Sequence, residues 1–144
     1  MAEFDTLFPN LKPSEYQNTS PQTRAYNCIA WAAGDTERWW EPAPAGAGYY
    51  WPMPSETEPL VENAVEAFKS LGFTVTSNSE YEEGYDKVAI YGQDGEYTHA
   101  ARQLTSGKWT SKIGGLEDIE HNSLEGLVGI EYGIVDRIMK RKRG

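Results

Sequence analysis

The sequence is poor in the residues that carry thiol and imidazole chemistry, because its 144 residues include one cysteine and two histidines. One cysteine excludes an intramolecular disulfide and a zinc site built from several thiolates. No apolar run approaches the roughly 20 residues that a membrane-spanning helix needs, so we expect no membrane partner. The first residues, MAEFDTLFPNLKP, lack a basic segment followed by an apolar one. We therefore expect no secretory signal and a cytoplasmic protein.

Basic residues are also scarce, with 13 Lys and Arg against 22 Asp and Glu and a formal net charge of −9. The phosphates of nucleic acid repel such a chain, so we expect no nucleic-acid partner. The exception is the basic run at 140–143. We interpret this run as a solvated helix end rather than as a nucleic-acid patch.

Aromatic residues are abundant, with five Trp and nine Tyr, and this content argues against disorder. The length suits one folded domain over residues 1–144. Residues 1–20 are rich in Pro, Asn and Ser and show no sustained period, so we expect an irregular N-terminal arm there. We expect a monomer that needs no cofactor.

The order of the predicted elements indicates an α+β domain in which N-terminal helices pack on a small antiparallel sheet. The clearest helix repeats Leu60, Ala64 and Phe68 at the helical period and has Gly72 just beyond its end. Alternating residues and the turn signals Asp-Gly and Ser-Gly predict an antiparallel meander after it. The predicted elements are helices at 27–40, 60–71 and from Val135 onward, and strands at 73–76, 87–91, 97–104, 108–113 and 127–132.

The segment 42–54 is rich in Pro and Gly, which predicts a long loop without regular structure. Aromatic residues flank this loop, and they need a partner surface. One interpretation is that they pack under the loop. The other is that Trp40, Tyr50 and Trp51 form the wall of a groove and bind a substrate.

Cys28 follows Asn27, a residue type that commonly caps helices, and so falls in the first turn of the predicted helix. A helix N-terminus lowers the pKa of a thiol, so we expect the pKa of Cys28 to lie below its ordinary value of about 8.5. His99 lies on a predicted strand beside small residues that leave room for another group. The alternative for each is structural: Cys28 as a buried core thiol and His99 as a hydrogen-bonded core imidazole.

A cysteine at a helix start followed by a sheet that carries a histidine resembles the papain-like cysteine peptidase superfamily, notably its compact bacterial amidase and cell-wall peptidase branches. The segment KVAIYGQDGEYTHAARQL is similar to the strand, turn, strand unit of those domains. The resemblance implies a papain-like fold and a thiol hydrolase or transferase that acts on an amide bond of a peptide or protein. Cys28 would be the nucleophile and His99 the base. Asn27 or Gln22 would supply a side chain to the oxyanion hole.

The family orients its histidine with a third polar group, typically one strand onward. A turn centred on 106–107 would place His99 opposite Gly114, with Lys112 diagonal on the same face. Neither residue can orient an imidazole well. Glu117 or Asp118, just beyond the strand, could fold back to do so, and we predict Asp118. A Cys-His dyad without a third group is the alternative.

Two alternatives stay open. The first is a non-catalytic protein-binding module on the same fold, whose contact surface is the aromatic loop 39–51. The second is a metal-binding role for His121, although this residue stands in a polar run and is expected at the surface. A metal site made from His99, His121 and Asp118 has no recognised spacing.

Overall fold

The computed structural model of this protein describes residues 16–20, 26–35, 37, 39–41, 50–52, 60–112, 118–129 and 132–143. Within these ranges the chain forms two helices, α1 (Cys28–Ala32) and α2 (Val61–Ser70), and a 3₁₀ turn at Glu125–Leu127. No helix in these ranges is long and apolar enough to span a membrane. The strands are β1 (Tyr16–Ser20), β2 (Thr74–Thr76), β3 (Tyr85–Gln93), β4 (Glu96–Gln103), β5 (Trp109–Lys112), β6 (Asp118–His121) and β7 (Ile134–Lys142).

All seven strands join one antiparallel sheet in the order β1-β6-β5-β4-β3-β7-β2. The predicted fold class, papain-like α+β with helices packed on a small sheet, is therefore wrong, because the sheet dominates a β-rich domain. The helix predicted at 27–40 ends at Ala32, where Gly34 turns the chain with a φ of 86°. The helix predicted at 60–71 and the meander β3-β4-β5 are confirmed.

The C-terminal segment is the largest correction. The helix predicted from Val135 is strand β7, which pairs with β3 from Tyr85↔Lys142 to Gly92↔Ile134. This long-range pairing overrides a local sequence of Arg, Lys and Met that suits a helix. Of the strand predicted at 127–132, the described residues instead form the end of the 3₁₀ turn and the Gly129↔Gly133 bridge, and residues 130–131 lie outside the described ranges.

The predicted N-terminal arm is also partly regular. Its last five residues form β1, which pairs with β6 and extends the sheet at that edge. The rest of the arm, at 1–15, lies outside the described residues. The prediction missed β1 because its pairing partner lies about a hundred positions later in the chain.

The two faces of the sheet carry different cores because side chains alternate along each strand. On the helix face, α1 and α2 cover a core that includes Val88, Ile90, Ala100 and Met139. On the opposite face, the segment after β6 contributes Leu124 and Leu127 to a core that includes Ala89, Tyr91, Ala101 and Ile119.

The register between β4 and β5 differs from the expected one by a single residue. Arg102 pairs with Thr110, and Gln103 pairs with Trp109. Because a slip of one residue moves every side chain to the other face, Ser111 rather than Lys112 shares the face of His99. Lys112 instead lies on the helix face, where its ammonium group stands 5.5 Å from the ring centroid of Tyr26.

Substitution of Gly133 tests how closely residue 133 approaches β3. We expect Gly133→Ala to lower the free energy of unfolding by about 1–3 kcal/mol more than its backbone term of about 1–2 kcal/mol. Its φ is 75°, and an added Cβ would lie 2.2 Å from the carbonyl oxygen of Gly92 on β3. The measurement is urea unfolding of both proteins.

Gly84→Ala is the matched control, because Gly84 has a similar φ of 85° but no atom within 4 Å of the added Cβ. It should lose only the backbone term of about 1–2 kcal/mol. Equal losses in the two variants would contradict the close approach of residue 133 to β3.

Candidate functional site

Asn27 is the N-cap of α1, as the sequence predicts. Its Oδ1 accepts hydrogen bonds from the backbone N–H groups of Ala30 and Trp40, each at 3.2 Å. Its Nδ2 donates to the carbonyl oxygen of Trp40 at 2.6 Å. These bonds hold the chain and use one of the two N–H groups of the amide, so a single N–H remains as a donor for an oxyanion hole. Gln22, the other predicted donor, lies outside the described residues.

The structure does not bring Cys28 and His99 together. Cys28 begins α1 on the helix face, where its thiol contacts the backbone of Ala100. His99 is fully buried on the opposite face, stacked on Tyr132 with ring centroids 4.2 Å apart and an interplanar angle of 7°. The edge of Tyr91 also packs against this imidazole.

The thiol of Cys28 is not activated. Loss of hydration raises its pKa to about 11, and the hydrogen bonds from the backbone of Ala100 and Ile29 only partly offset this effect. The charge of Lys112 also lowers the pKa slightly. The expectation of a lowered pKa is therefore wrong, because desolvation exceeds the effect of a helix start only five residues long.

Asp118 does not orient His99. It pairs with Lys112 in the register of β5 and β6 and so lies on the helix face. Its Oδ2 accepts a hydrogen bond of 2.6 Å from the hydroxyl of Tyr26. Asp118 and Cys28 thus share a face from which His99 is absent, and no predicted triad forms in the described part of the chain.

The aromatic residues beside the loop pack on the body of the domain. Trp40 is 4% exposed and Trp51 is 6% exposed, and their rings meet edge to face. Tyr50 packs against Trp40 at 5.1 Å, while Trp51 stacks on Tyr97 at 6.0 Å. Trp40 and Trp51 therefore pack in the core, while Trp40 and Tyr50 also line a second cavity of about 380 Å³. A substrate-binding role for these three residues stays a prediction, and residues 42–49 lie outside the described ranges.

A buried chain of hydrogen bonds crosses the opposite face. The carbonyl of Ser123 can only accept, so Nδ1 of His121 donates to it at 2.9 Å. Nε2 of His121 then accepts from the hydroxyl of Ser111 at 2.7 Å, and that oxygen accepts from Nε2 of His99 at 2.9 Å. Nδ1 of His99, at the end of the chain, is buried and has no partner in the described structure.

Both imidazoles of this chain are held neutral. Burial lowers the pKa of His99 well below its ordinary value, and the charge of His121 adds to the effect. Burial lowers the pKa of His121 to about 4, although the carbonyl of Ser123 partly opposes it. The expected surface position of His121 is wrong. The described residues contain no group of three His, Cys, Asp or Glu side chains placed to hold a metal ion.

A cationic cavity of about 250 Å³ lies where the end of α1 faces β3, β4 and β7. We call it the arginine cavity and define it by five of its charged lining residues, Asp86, Lys87, Arg102, Arg141 and Arg143. Its charge opposes that of the chain, whose formal net charge is −9. Such a local excess of positive charge attracts anions.

Arg102 lines this cavity, and its guanidinium group packs on a tryptophan ring. Its Cζ stands 5.0 Å from the ring centroid of Trp31, whose Nε1 donates to the hydroxyl of Thr110 at 3.0 Å. Among the described residues Arg102 makes no hydrogen bond and no ion pair, and its Nε is buried without a partner. Burial lowers the pKa of Arg102, and the side chain keeps its charge because a guanidinium group stays protonated in proteins.

The other cations of the cavity already make hydrogen bonds and ion pairs within the protein. Nζ of Lys87 contacts Glu82 at 2.7 Å and two backbone carbonyls, which uses its three N–H groups. Asp86 accepts from Arg141 at 3.2 Å and from Arg143 at 2.9 Å. Burial raises the pKa of Asp86, but the hydrogen bonds from Arg143 and Arg141 outweigh it and hold this pKa below the ordinary value.

Sequence reasoning missed this cavity for two reasons. The run 140–143 was expected to be a solvated helix end, whereas it forms the end of β7 and ties Arg141 and Arg143 to β3. The sequence does contain one indication of the cavity, which is the position of Arg102. Alternation along its strand puts it on the face away from His99, but which groups cover that face depends on pairings distant in sequence.

Alkylation of Cys28 tests the raised pKa of its thiol and its separation from His99. At pH 8 the folded protein should react with iodoacetamide at least about tenfold more slowly than the urea-unfolded chain, because the thiolate is scarce when the pKa is about 11. His99→Ala should leave the rate of the folded protein unchanged, since the imidazole lies on the other face. A rate that falls in His99→Ala would restore the catalytic pair.

Acid should destabilise the protein through the buried histidines. The folded state keeps both imidazoles neutral, whereas the unfolded chain protonates them below their ordinary pKa of 6.5. Stability is therefore full above about pH 6.5 and falls as the pH drops, by up to about 1.4 kcal/mol per pH unit for each histidine. Urea unfolding at pH 7, 6 and 5 measures this slope.

The variant His121→Gln is the control, because glutamine keeps polar atoms but does not titrate in this range. Its slope between pH 6 and pH 5 should be about half that of the unmodified protein. The window stays above the ordinary pKa values of the ion-paired Glu82 and Asp86. An unchanged slope would contradict a neutral, buried His121.

Among the comparisons with known proteins, the comparison with protein families gives a match. No curated protein and no solved structure matches the chain. Residues 17–140 match the family model described as a domain of unknown function, DUF7689. This match spans most of the sequence and covers β2 to β6, both helices and nearly all of β1 and β7. The chain therefore belongs to the DUF7689 family of domains of unknown function.

Proposed function

We propose that this domain is a binding module for anionic ligands and that the arginine cavity is its binding site. The observation that carries the proposal is Arg102, which lines the cavity and whose guanidinium group has no polar partner among the described residues. A partly desolvated charge without a partner costs free energy. An anion would remove that cost by accepting the free N–H groups of Arg102.

The surroundings of Arg102 support a preformed site. Trp31 lies under the guanidinium and is itself fixed by the hydrogen bond to Thr110. Arg141 packs over the ring of Phe73 at 4.5 Å and donates to the carbonyl of Leu71 at 2.9 Å. Side chains that are already held lose little conformational entropy when a ligand binds.

The other functions considered have less support. A thiol hydrolase stays a prediction, and the geometry does not favour it, because Cys28 and His99 lie on opposite faces and the thiol pKa is raised. A protein-binding surface on the aromatic loop has less support because Trp40 and Trp51 are buried in the core.

The test is anion titration of the protein and of Arg102→Gln. Inorganic phosphate, sulfate and acetate are titrated in turn, and amide chemical shifts of β3, β4 and β7 report binding. We expect at least one of these anions to bind the unmodified protein, with a Kd that rises at least about tenfold in Arg102→Gln.

Arg137→Gln is the matched control, because it makes the same change of net charge on β7. Arg137 pairs with Glu62 at 3.0 Å and does not line the cavity. Its Kd should stay within about twofold of the original. Arg102→Lys, which keeps the charge but not the planar fork, should give an intermediate Kd. No binding, or equal losses in Arg102→Gln and Arg137→Gln, would overturn the proposal.

A further inference from the structure

The charges of the arginine cavity do not cancel. Lys87 pairs with Glu82 at 2.7 Å, and this carboxylate also contacts Lys140, which is not among the lining residues, at 3.4 Å. Arg141 and Arg143 both bind the single carboxylate of Asp86. Arg102 has no carboxylate within ion-pair distance in the described structure. Three guanidinium groups therefore share one carboxylate, which leaves two positive charges.

The other acidic group near Arg102 does not change this balance. Asp118 acts on Arg102 only through its field. It lies opposite Lys112 in the sheet register, and Lys112 is also buried on the helix face. The charges of Asp118 and Lys112 offset each other at the distance of the cavity.

Building on the proposed function, we propose that the arginine cavity binds a dianionic phosphoryl group, as in inorganic phosphate or a small phosphate monoester. A dianion matches the two positive charges, whereas a carboxylate would leave one of them unbalanced in a partly desolvated space. The guanidinium fork of Arg102 also fits two phosphoryl oxygens. A third oxygen would remain for the arginines that Asp86 holds.

Asp86 explains why a carboxylate is the weaker candidate. It already supplies the carboxylate that Arg141 and Arg143 bind, one oxygen to each. A second carboxylate would meet mainly Arg102. A phosphoryl group has enough acceptors to bind Arg102 and to reach N–H groups of Arg141 or Arg143 that Asp86 does not use.

The dependence of binding on pH distinguishes the two ligand classes. Phenyl phosphate takes its second negative charge near pH 6, whereas sulfate is dianionic and acetate monoanionic over the range from pH 5.5 to pH 8. We expect the Kd of phenyl phosphate to fall several-fold from pH 5.5 to pH 7.5. The Kd of sulfate should stay constant, and acetate should bind at least about tenfold more weakly than either dianion.

The protein itself should contribute little to this profile. The described cavity lining contains no histidine, its arginines keep their charge, and the pKa of Asp86 lies below the range. His99 and His121 titrate on the opposite face, and sulfate corrects for any effect that they have on folding. Inorganic phosphate, titrated beside phenyl phosphate, distinguishes a free phosphate site from a monoester site by the tighter Kd.

Each result decides the inference. Binding that depends on Arg102 and strengthens with the second charge of phenyl phosphate supports a phosphoryl site. Acetate that binds as tightly as phosphate, or a flat profile for phenyl phosphate, overturns this inference and leaves the anion-binding proposal standing. Loss of all binding that depends on Arg102 removes both.

Discussion

The antiparallel pairing of β3 with β7 is the constraint on which the rest of the structure depends. It runs from Tyr85↔Lys142 to Gly92↔Ile134 and joins the end of the chain to the middle of the sheet. The same pairing brings Asp86 of β3 beside Arg141 and Arg143 of β7. The fold and the arginine cavity are thus products of one set of backbone hydrogen bonds.

The register between neighbouring strands decides which chemistry the domain can perform. One residue of difference between β4 and β5 places Ser111 beside His99 and sends Lys112 to the helix face. His99 then becomes part of a buried chain with His121, while Cys28 remains on the other side. Residues that look like catalytic partners in sequence are separated by the thickness of a sheet.

The parts of the fold that the sequence predicts are those that local physics determines. The periodic helix α2, the Asn27 cap and the meander β3-β4-β5 depend on spacing, capping and turn residues. β1 and β7 could not be predicted in this way, because each is stabilised by a partner far along the chain. The hydrogen-bonded position of His99 was one of the alternatives considered, but its partner Ser111 depends on the register. Alternation along β4 predicts the face on which Arg102 lies, yet the cavity around it also requires β7.

The late position of β7 in the chain has a consequence for biosynthesis. About forty residues separate the end of β3 from the start of β7. At roughly 5–20 residues per second, the ribosome needs several seconds to add them. During that interval the edge of β3 that β7 will cover presents unpaired N–H and carbonyl groups beside apolar side chains. Such an edge recruits foreign strands, so a nascent chain of this domain is exposed to aggregation until β7 emerges and covers β3.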